Sequence, residues 1–464
     1  MLDRKAAGAH AWLGSWVAVG VALLAIGCVA ARPEPDLARL YEGRRAARRP
    51  PVIVIPGVLG SRLVDPENGR EAWPGGVWNL LSGRHFRDLE LATADALAPA
   101  TGDRLAPSGV LFEAFGRDYY ETIVDTLEGP GGYRCVPAEG EFRRADIDCV
   151  IFSWDWRKDL VDAARHLSDL VQRLREARGD PALRVDIVAH SAGGLVARYF
   201  VRFGAEDVLA RADLGAALAS GTGGAVRRLV LIGTPNYGSV SALQGAIMGT
   251  GVGFSSLPPE LLATMPSLFE LFPNPNRTWM IGPDGKRVDI DLFDVATWRE
   301  FSWSIFDPTV RARIAARFPD DESAREDLEN REAFFAAALE RARRFHRVLS
   351  MPLTASTPQY LVFGGDCDLT PALCLLETVN GRVFVRLKPG EVRNRIPGVD
   401  YARLMLAPGD GRVTKAPLLA RNSLSEEEQP GFFPITYAVF ICRSHAELPS
   451  DITFRDNLLN ALLY

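Results

Sequence analysis

The sequence predicts an α/β fold in which a mostly parallel central sheet carries helices on both faces and an inserted cap. Short, β-branched apolar runs alternate with helical stretches along most of the chain, which is typical of a parallel sheet. A serine, Ser191, stands where one such strand turns sharply into a helix. Between residues 240 and 349 the alternation stops, which indicates an insertion. The 464 residues, 47% of them hydrophobic, are enough for a large core.

Residues 1–31 are predicted to be a targeting segment. Arg4 and Lys5 precede an uncharged, mostly apolar run. The stretch that ends at Cys28 resembles a bacterial lipobox, in which the cysteine is lipidated. The run is also long enough for an uncleaved anchor, and a plain secretory signal is a third interpretation. All three place the body in the periplasm or outside the cell, although the arginines between 44 and 49 argue against export.

Residues 51–239 are predicted to form the N-terminal part of the core. A polar, Arg- and Pro-rich stretch at 32–50 precedes them and is typical of a linker. The first buried strand, at 51–56, runs into a glycine-rich turn at 57–61. Glycine lets the backbone of such a turn approach a bound molecule closely. The turn is therefore a candidate for one wall of a site.

The next elements follow a loop-rich stretch. A helix is predicted over 112–128, and a buried strand over 149–153. We expect Asp155 and Arg157 to form a buried ion pair that fixes the loop after this strand. Trp154 is a candidate for lining a binding site.

The strand-to-helix turn at Ser191 has the character of a nucleophile elbow. Strand and helix pass so closely there that small residues are needed on both sides, and Ala189, Gly193 and Gly194 supply them. The usual pattern is G-x-S-x-G, with Ala189 replacing the first glycine. The N-terminus of the following helix also favours the negative charge that develops in acyl transfer. These features together predict an α/β-hydrolase fold.

Residues 240–349 are predicted to be a cap inserted in the core. They are rich in Leu, Phe and Met and include a long amphipathic helix, so we expect them to cover the site and to face lipid. The alternative is a satellite subdomain that only packs on the body. The core resumes over 350–464, with its last strand at 435–442 and a closing helix at 451–463.

A serine nucleophile needs a base, and the base needs a group that orients it. His445 follows the last strand, where this fold places the base. His190 points away from its neighbour on the turn, so we expect a structural role for it. The acid has three candidates, because Asp366 and Asp368 follow one strand directly and Asp410 lies in a Gly-Asp-Gly turn beyond it. Spacing alone does not choose among them.

The six cysteines fit an oxidising compartment. Cys135 and Cys149 form one sequence-local pair that is a candidate disulfide, and Cys367 and Cys374 form another, which leaves Cys442 over. Cysteine and histidine spacings predict no zinc site, and we expect no metal and no cofactor. A net charge of −5 gives no indication of nucleic-acid binding.

The order of several short motifs resembles the lecithin:cholesterol acyltransferase family. The motifs are Pro56-Gly57-Val58-Leu59-Gly60-Ser61, Ser153-Trp154-Asp155-Trp156-Arg157, Ala189-His190-Ser191-Ala192-Gly193-Gly194, Gly233-Thr234-Pro235, Gly409-Asp410-Gly411-Arg412-Val413 and Ser444-His445-Ala446-Glu447-Leu448. The resemblance implies that Ser191 is the nucleophile, Asp410 the acid and His445 the base. It also implies an oxyanion hole made by the Val58 and Ala192 amides, and a cap that binds acyl chains.

The resemblance departs from the family pattern at Arg412, where a small threonine is usual, and at Trp154, where tyrosine is common. We expect acyl transfer from a lipid ester to water or a lipid alcohol, at a membrane or lipoprotein surface, with Leu59 and Trp154 as candidate substrate contacts. An esterase for small or non-lipid esters is one alternative, and a non-catalytic lipid-binding envelope protein is another. The sequence predicts no oligomeric state.

Overall fold

The computed structural model of the chain describes most of the residues that follow the predicted targeting segment. The described ranges are 34–44, 49–76, 84–94, 103–114, 117–118, 120–140, 147–214, 224–252, 255–351, 358–421 and 434–464. Residues 1–31 and Cys28 lie outside them. Of the helices in these ranges, none is both long and apolar enough to cross a membrane.

Seven parallel strands form the central sheet. In chain order they are β1 Val52–Ile55, β2 Cys135–Pro137, β3 Cys149–Ile151, β4 Val185–His190, β5 Val226–Ile232, β6 Gln359–Gly365 and β7 Ile435–Ile441. Their order across the sheet is β7-β6-β5-β4-β1-β3-β2. All six pairings are parallel. The carboxyl ends of all seven strands therefore meet at one edge, which is where such folds bind ligands.

The sheet is buried on both faces, which explains why its strands are nearly continuous apolar runs. In β1, Ile53 and Ile55 point into one core cluster and Val52 and Val54 into the other. Successive side chains of a strand alternate between faces, so each face of the sheet needs apolar residues. The parallel sheet with helices on both faces, predicted from the alternation of strands with helical stretches, is confirmed.

Helices cover both faces. The described helices are Leu37–Tyr41, Glu121–Glu128, Leu160–Arg178, Gly193–Phe203, Val240–Met248, Pro259–Leu262, Pro266–Glu270, Val295–Glu300, Pro308–Ala315, Asp321–Leu349, Tyr401–Met405, Lys415–Leu418 and Ile452–Leu463. We call Gly193–Phe203 the Ser191 helix and Asp321–Leu349 the long cap helix. The Ser191 helix packs on one face of the sheet, and the final helix, Ile452–Leu463, packs on the other.

The predicted helix over 112–128 was too long. The observed helix begins at Glu121, and two short antiparallel strands, Glu113–Ala114 and Arg117–Asp118, precede it. The apolar spacing before Glu121 matches a helix, but Gly116 disfavours one by about 1 kcal/mol relative to alanine.

The segment predicted to be a cap shares a small sheet with a later stretch of the chain. A small sheet has the strand order Arg287–Val288, Met280–Ile281, Cys374–Val379, Arg382–Arg386. Its first two strands come from the predicted cap and the other two from the segment predicted as C-terminal core. Met280 lies opposite Cys374 in a parallel pairing, so the two stretches share one structure. Such a long-range pairing leaves no local pattern in the sequence.

Two buried arginines tie the long cap helix to the Ser191 helix. Arg198 donates to the Leu349 carbonyl over 2.9 Å, and Arg202 donates to the Val348 carbonyl over 3.1 Å. The last carbonyls of a helix have no partner within the helix. The side chains of one helix therefore satisfy the carbonyls at the end of the other.

The stretch predicted as a linker, 32–50, contains a docked helix. Leu37 and Tyr41 of this helix are buried against Leu459 of the final helix. The Tyr41 hydroxyl also donates to the Asp456 carboxylate over 2.9 Å. Part of this polar stretch is thus held on the body by a tyrosine and a leucine at helical spacing.

One predicted disulfide forms and the other is wrong. Cys135 and Cys149 are bonded, and they lie opposite each other on β2 and β3. Cys367 is bonded to Cys442 rather than to Cys374, which is free and buried. The reason is topological. β6 and β7 are parallel neighbours, so the residues just beyond their carboxyl ends meet, whereas Cys374 belongs to the small sheet.

Candidate functional site

Ser191 occupies a strained turn directly after β4. Its φ angle is 53°, in the left-handed region that residues other than glycine rarely adopt. Its amide donates to the Ile232 carbonyl of β5 over 2.8 Å, which holds the turn in place. A Cβ atom on Gly194 would lie 2.0 Å from the Thr234 hydroxyl, so this position must be glycine. The predicted strand-turn-helix geometry is confirmed.

The glycine-rich turn after β1 lies against Ser191. A Cβ atom on Gly57 would come within 2.7 Å of the Ser191 Cβ atom, so a larger residue would push the two segments apart. Gly57 precedes Val58, whose amide is a candidate oxyanion donor. Within the described chain, neither the Val58 amide nor the Ala192 amide has a protein acceptor. Both donors are therefore available to a ligand beside Ser191.

Two tryptophan side chains hold this turn by hydrogen bonds to its backbone carbonyls. The Trp154 indole donates to the Pro56 carbonyl over 2.9 Å, and the Trp73 indole donates to the Leu59 carbonyl over 2.8 Å. Trp154 is only 1% exposed, so the structure places it as a support of the turn rather than as a wall of the site. Leu59 is half-buried, with a φ angle of 64°.

His445 connects Ser191 to Asp410. Its Nε2 atom lies 3.0 Å from the Ser191 Oγ atom, and its Nδ1 atom lies 2.8 Å from the Asp410 Oδ2 atom. The Asp410 Oδ1 atom accepts from the amides of Arg412, over 2.9 Å, and Val413, over 2.7 Å. Burial raises the pKa of Asp410, but His445 and the two amides outweigh it, so the pKa lies below its ordinary value.

The other two acid candidates lie elsewhere. Asp366 pairs with Lys415 over 3.0 Å. Asp368 is exposed and lies opposite Gly409 in a short antiparallel pairing. Of the three candidates, Asp410 is the one that contacts His445.

Gly233, at the end of β5, is a site residue whose role spacing did not predict. It has a φ angle of 55°, and a Cβ atom there would lie 2.9 Å from His445 Nδ1 and 3.1 Å from Asp410 Oδ2. Gly233 thus leaves room for the His445–Asp410 contact. The only signal in the sequence was the Gly-Thr-Pro motif that follows the strand.

The predicted ion pair between Asp155 and Arg157 forms, over 2.7 Å. Arg157 also binds Asp103 over 2.6 Å, and its side chain is fully buried. The loop after β3 is therefore fixed by a buried charge cluster. In the described ranges, no group of three or more His, Cys, Asp or Glu side chains is arranged to hold a metal ion.

His190 lies beside the site without touching Ser191 Oγ. Its Nδ1 atom is 2.9 Å from the Tyr120 hydroxyl and its Nε2 atom is 3.1 Å from the His445 carbonyl. Burial lowers the pKa of His190 to about 3, with a smaller contribution from His445. The ring is therefore neutral at physiological pH, and both its nitrogens are occupied. These contacts agree with the structural role predicted for His190.

Residues 143–310 match the family model of lecithin:cholesterol acyltransferase. The matched segment includes β3, the Ser191 turn, β5 and part of the cap, so the predicted resemblance to this family is confirmed there. No curated protein sequence matches the chain.

Several solved structures resemble the chain. The Tle4–Tli4 complex matches with a TM-score of 0.54 and 14% identity, over 90% of this chain and 98% of the other. The mature lipase BlEst2 of Bacillus licheniformis has a TM-score of 0.31 and 11% identity, over 89% and 92% of the two chains. Lipase 1 of Pelosinus fermentans has a TM-score of 0.34 and 12% identity, over 89% and 98%. The chain has the α/β-hydrolase fold.

Proposed function

We propose that this α/β-hydrolase, similar over residues 143–310 to lecithin:cholesterol acyltransferases, transfers acyl groups from lipid esters, with Ser191 as its nucleophile. The observation that carries the proposal is the continuous contact from Ser191 through His445 to Asp410, over 3.0 and 2.8 Å. A non-catalytic binding protein has no need for this alignment.

The geometry supports a two-step reaction. Ser191 Oγ attacks the ester carbonyl while His445 Nε2 takes its proton. Asp410 accepts from His445 Nδ1–H, holds the ring in that tautomer and stabilises the imidazolium. The Val58 and Ala192 amides stabilise the oxyanion. The imidazolium then gives its proton to the leaving alcohol, and an acyl-serine remains.

The second step regenerates the serine. His445 removes a proton from water or from a second alcohol as that oxygen attacks the acyl-serine carbonyl. The proton returns to Ser191 when the ester bond to the enzyme breaks. Water yields a fatty acid, and a lipid alcohol yields a new ester. The triad does not decide between water and a lipid alcohol as the acceptor.

A lipid substrate is supported by the family match and by the predicted cap at 240–349, whose buried aromatic side chains belong to the same apolar cluster as the sheet and the Ser191 helix. We further propose that the protein is exported, attached through residues 1–31, and acts at a membrane or lipoprotein surface. The apolar N-terminal run, with its lipobox-like end at Cys28, supports this location.

The test uses the full chain with phospholipid vesicles, with and without a sterol or diacylglycerol. We expect fatty acid release that disappears in Ser191→Ala. If the added alcohol diverts acyl groups into a new ester, the protein is an acyltransferase, and if only fatty acid forms, it is a phospholipase. Equal product with Ser191→Ala, or none from these lipids or from short-chain esters, would refute the proposal.

A further inference from the structure

We propose that Tyr120 and His190 are positioning residues that hold the oxyanion turn and the His445 loop in register through one buried hydrogen-bond chain. The inference rests on the proposed function, since it concerns how the two halves of that site stay aligned. The turn follows β1 and the loop follows β7, so they come from opposite ends of the chain.

One arm of this chain reaches the oxyanion turn. The Gly57 amide donates to the Tyr120 hydroxyl over 2.8 Å. The Tyr120 ring also lies under the other end of the turn, because a Cβ atom on Gly60 would lie 3.0 Å from it. Tyr120 is 2% exposed, so water does not compete for its contacts. Since Gly57 precedes Val58, this bond limits the directions in which the Val58 amide can point.

The other arm reaches the base. A carbonyl oxygen only accepts, so the 3.1 Å contact between His190 Nε2 and the His445 carbonyl requires a proton on Nε2. Nδ1 of the neutral ring then accepts from the Tyr120 hydroxyl over 2.9 Å. The hydroxyl oxygen in turn accepts from Gly57. Every hydrogen bond in this buried hydrogen-bond chain therefore has one fixed direction. Such hydrogen-bond chains strengthen each of their bonds cooperatively.

His445 is held on both sides of its backbone. Its amide donates to the Asp410 carbonyl over 2.8 Å, while its own carbonyl accepts from His190. The centres of the His190 and His445 rings are 4.9 Å apart. Burial keeps His190 neutral, which prevents a second cation from opposing the imidazolium that His445 must form.

The expected kinetic effect follows from how steeply rates depend on alignment. Loss of a whole oxyanion donor costs about 10²–10³-fold in kcat. A misplacement of about 1 Å costs up to about 10²-fold. Loosening the Val58 amide and His445 together should therefore lower kcat by about ten-fold or more. KM should change little, because neither Tyr120 nor His190 is expected to contact the ground-state substrate.

The primary test compares Tyr120→Phe with a matched control, Tyr199→Phe, in the full chain. The Tyr199 hydroxyl also accepts from a backbone amide, Val208, over 3.1 Å and donates to a carbonyl, Glu206, over 2.8 Å. Each variant thus loses one buried hydroxyl and the two hydrogen bonds given for it above. We expect similar losses of stability in urea unfolding, with kcat reduced only in Tyr120→Phe and KM within about two-fold of wild type.

A pair of substitutions at His190 provides the second test, which also decides the matter if Tyr120→Phe does not fold. The amide of His190→Gln can place a donor near the Nε2 position, whereas His190→Leu loses both arms. We expect His190→Gln to recover part of the kcat that His190→Leu loses.

The outcomes of these tests distinguish the positioning role of Tyr120 and His190 from the proposed function. Equal kcat in Tyr120→Phe and Tyr199→Phe, or an effect on KM alone, overturns the positioning role and leaves the proposed function standing. Equal kcat in His190→Gln and His190→Leu overturns it as well. Absence of Ser191-dependent turnover in the wild-type protein overturns the proposed function and this inference with it.

Discussion

At the scale of single residues, the site depends on contacts of about 3 Å among side chains that come from distant parts of the chain. Ser191 and His445 are 254 positions apart, and Asp410 lies 35 positions before His445. Each follows a strand or turn at the same edge of the sheet. The topology of the sheet therefore brings the three residues of the triad together.

The assignment of Asp410 makes the first prediction. Asp410→Asn keeps an oxygen for the Arg412 and Val413 amides but favours the wrong tautomer of His445. We expect kcat to fall by about 10⁴-fold, the loss that the same substitution causes in a Ser-His-Asp triad. Asp366→Asn and Asp368→Asn are the controls and should change kcat only slightly. A larger loss in either control than in Asp410→Asn would move the acid to that position.

Gly233 makes the second prediction. Gly233→Ala places a methyl group 2.9 Å from His445 Nδ1 and forces alanine to a φ angle of 55°. We expect a stability loss of about 1–2 kcal/mol from the backbone alone, measured by urea unfolding. We also expect kcat to fall, since His445 or Asp410 must move. Unchanged kcat would show that the His445–Asp410 contact tolerates the added methyl group.

Residues with strong local signals were predicted from the sequence. Ser191 lies between a strand and small residues, and His445 follows the last strand. Asp410 was not separable from Asp366 by spacing, because which carboxylate reaches His445 depends on a hairpin that folds back between them. Tyr120 was missed because its partner His190 is 70 positions away, and nothing near Tyr120 marks the contact.

At the scale of elements, each of the two disulfides joins neighbouring strands of the central sheet. One lies within the paired strands and the other lies just beyond the strand ends. Cys135–Cys149 ties the edge strand β2 to β3, whereas Cys367–Cys442 joins the ends of β6 and β7. Cys442 is three positions before His445. The second disulfide therefore holds the loop that carries the base.

The third prediction compares the removal of the two disulfides. Closing loops of 75 and 14 residues stabilises by about 4.5 and about 3 kcal/mol in the chain-entropy model. We expect the double variant Cys367→Ser/Cys442→Ser to lose more stability in urea than Cys135→Ser/Cys149→Ser, and to be the one with reduced kcat. Reduced kcat only in the edge-strand variant would contradict the role assigned to the second disulfide.

A buried carboxyl joins the cap to the core. Glu270, which ends the helix Pro266–Glu270, accepts from the Leu160 amide over 2.8 Å. Asp159 lies beside it and binds Arg341 of the long cap helix. Burial, followed by the charge of Asp159, raises the pKa of Glu270 well above its ordinary value. The folded protein therefore binds a proton there that the unfolded chain releases.

The fourth prediction concerns pH. Because the folded state holds the extra proton, stability falls as pH rises from the ordinary glutamate pKa through the raised one. Glu270→Gln keeps an acceptor for Leu160 and removes this dependence. We expect the unfolding free energy of the variant, relative to wild type, to be higher at pH 8 than at pH 5. A difference that is constant or reversed would show that Glu270 is ionised in the folded protein.

Elements were predictable where the pattern is local. The strands predicted at 51–56, 149–153 and 435–442 lie within a few residues of the observed ones, and the long amphipathic helix predicted within 240–349 forms. The edge strand β2, Cys135–Pro137, was not predicted. The helix before Glu128 was drawn too long, since apolar spacing continues across two short strands. The pairing of Met280 with Cys374 was not foreseen, because it depends on residues 94 positions apart by number.

At the scale of the whole molecule, the fold brings the Ser191 turn, the turn after β1 and the His445 loop together at one edge of a parallel sheet. The sequence predicted a parallel sheet because its apolar strands alternate with helical stretches. It did not predict the order β7-β6-β5-β4-β1-β3-β2, which long-range packing decides. The loops that follow β4 and β7 cross the ends of β5 and β6, so that His445 reaches both Ser191 and Asp410.

The most direct test of the account is covalent trapping of the nucleophile. The full chain would be treated with a fluorophosphonate, and the modified peptide would be identified by mass spectrometry. We predict one adduct, on Ser191, which forms more slowly in Asp410→Asn and does not form in Ser191→Ala. Modification of a different serine, or no adduct on folded wild-type protein, would contradict the claim that Ser191, His445 and Asp410 act together as a catalytic triad.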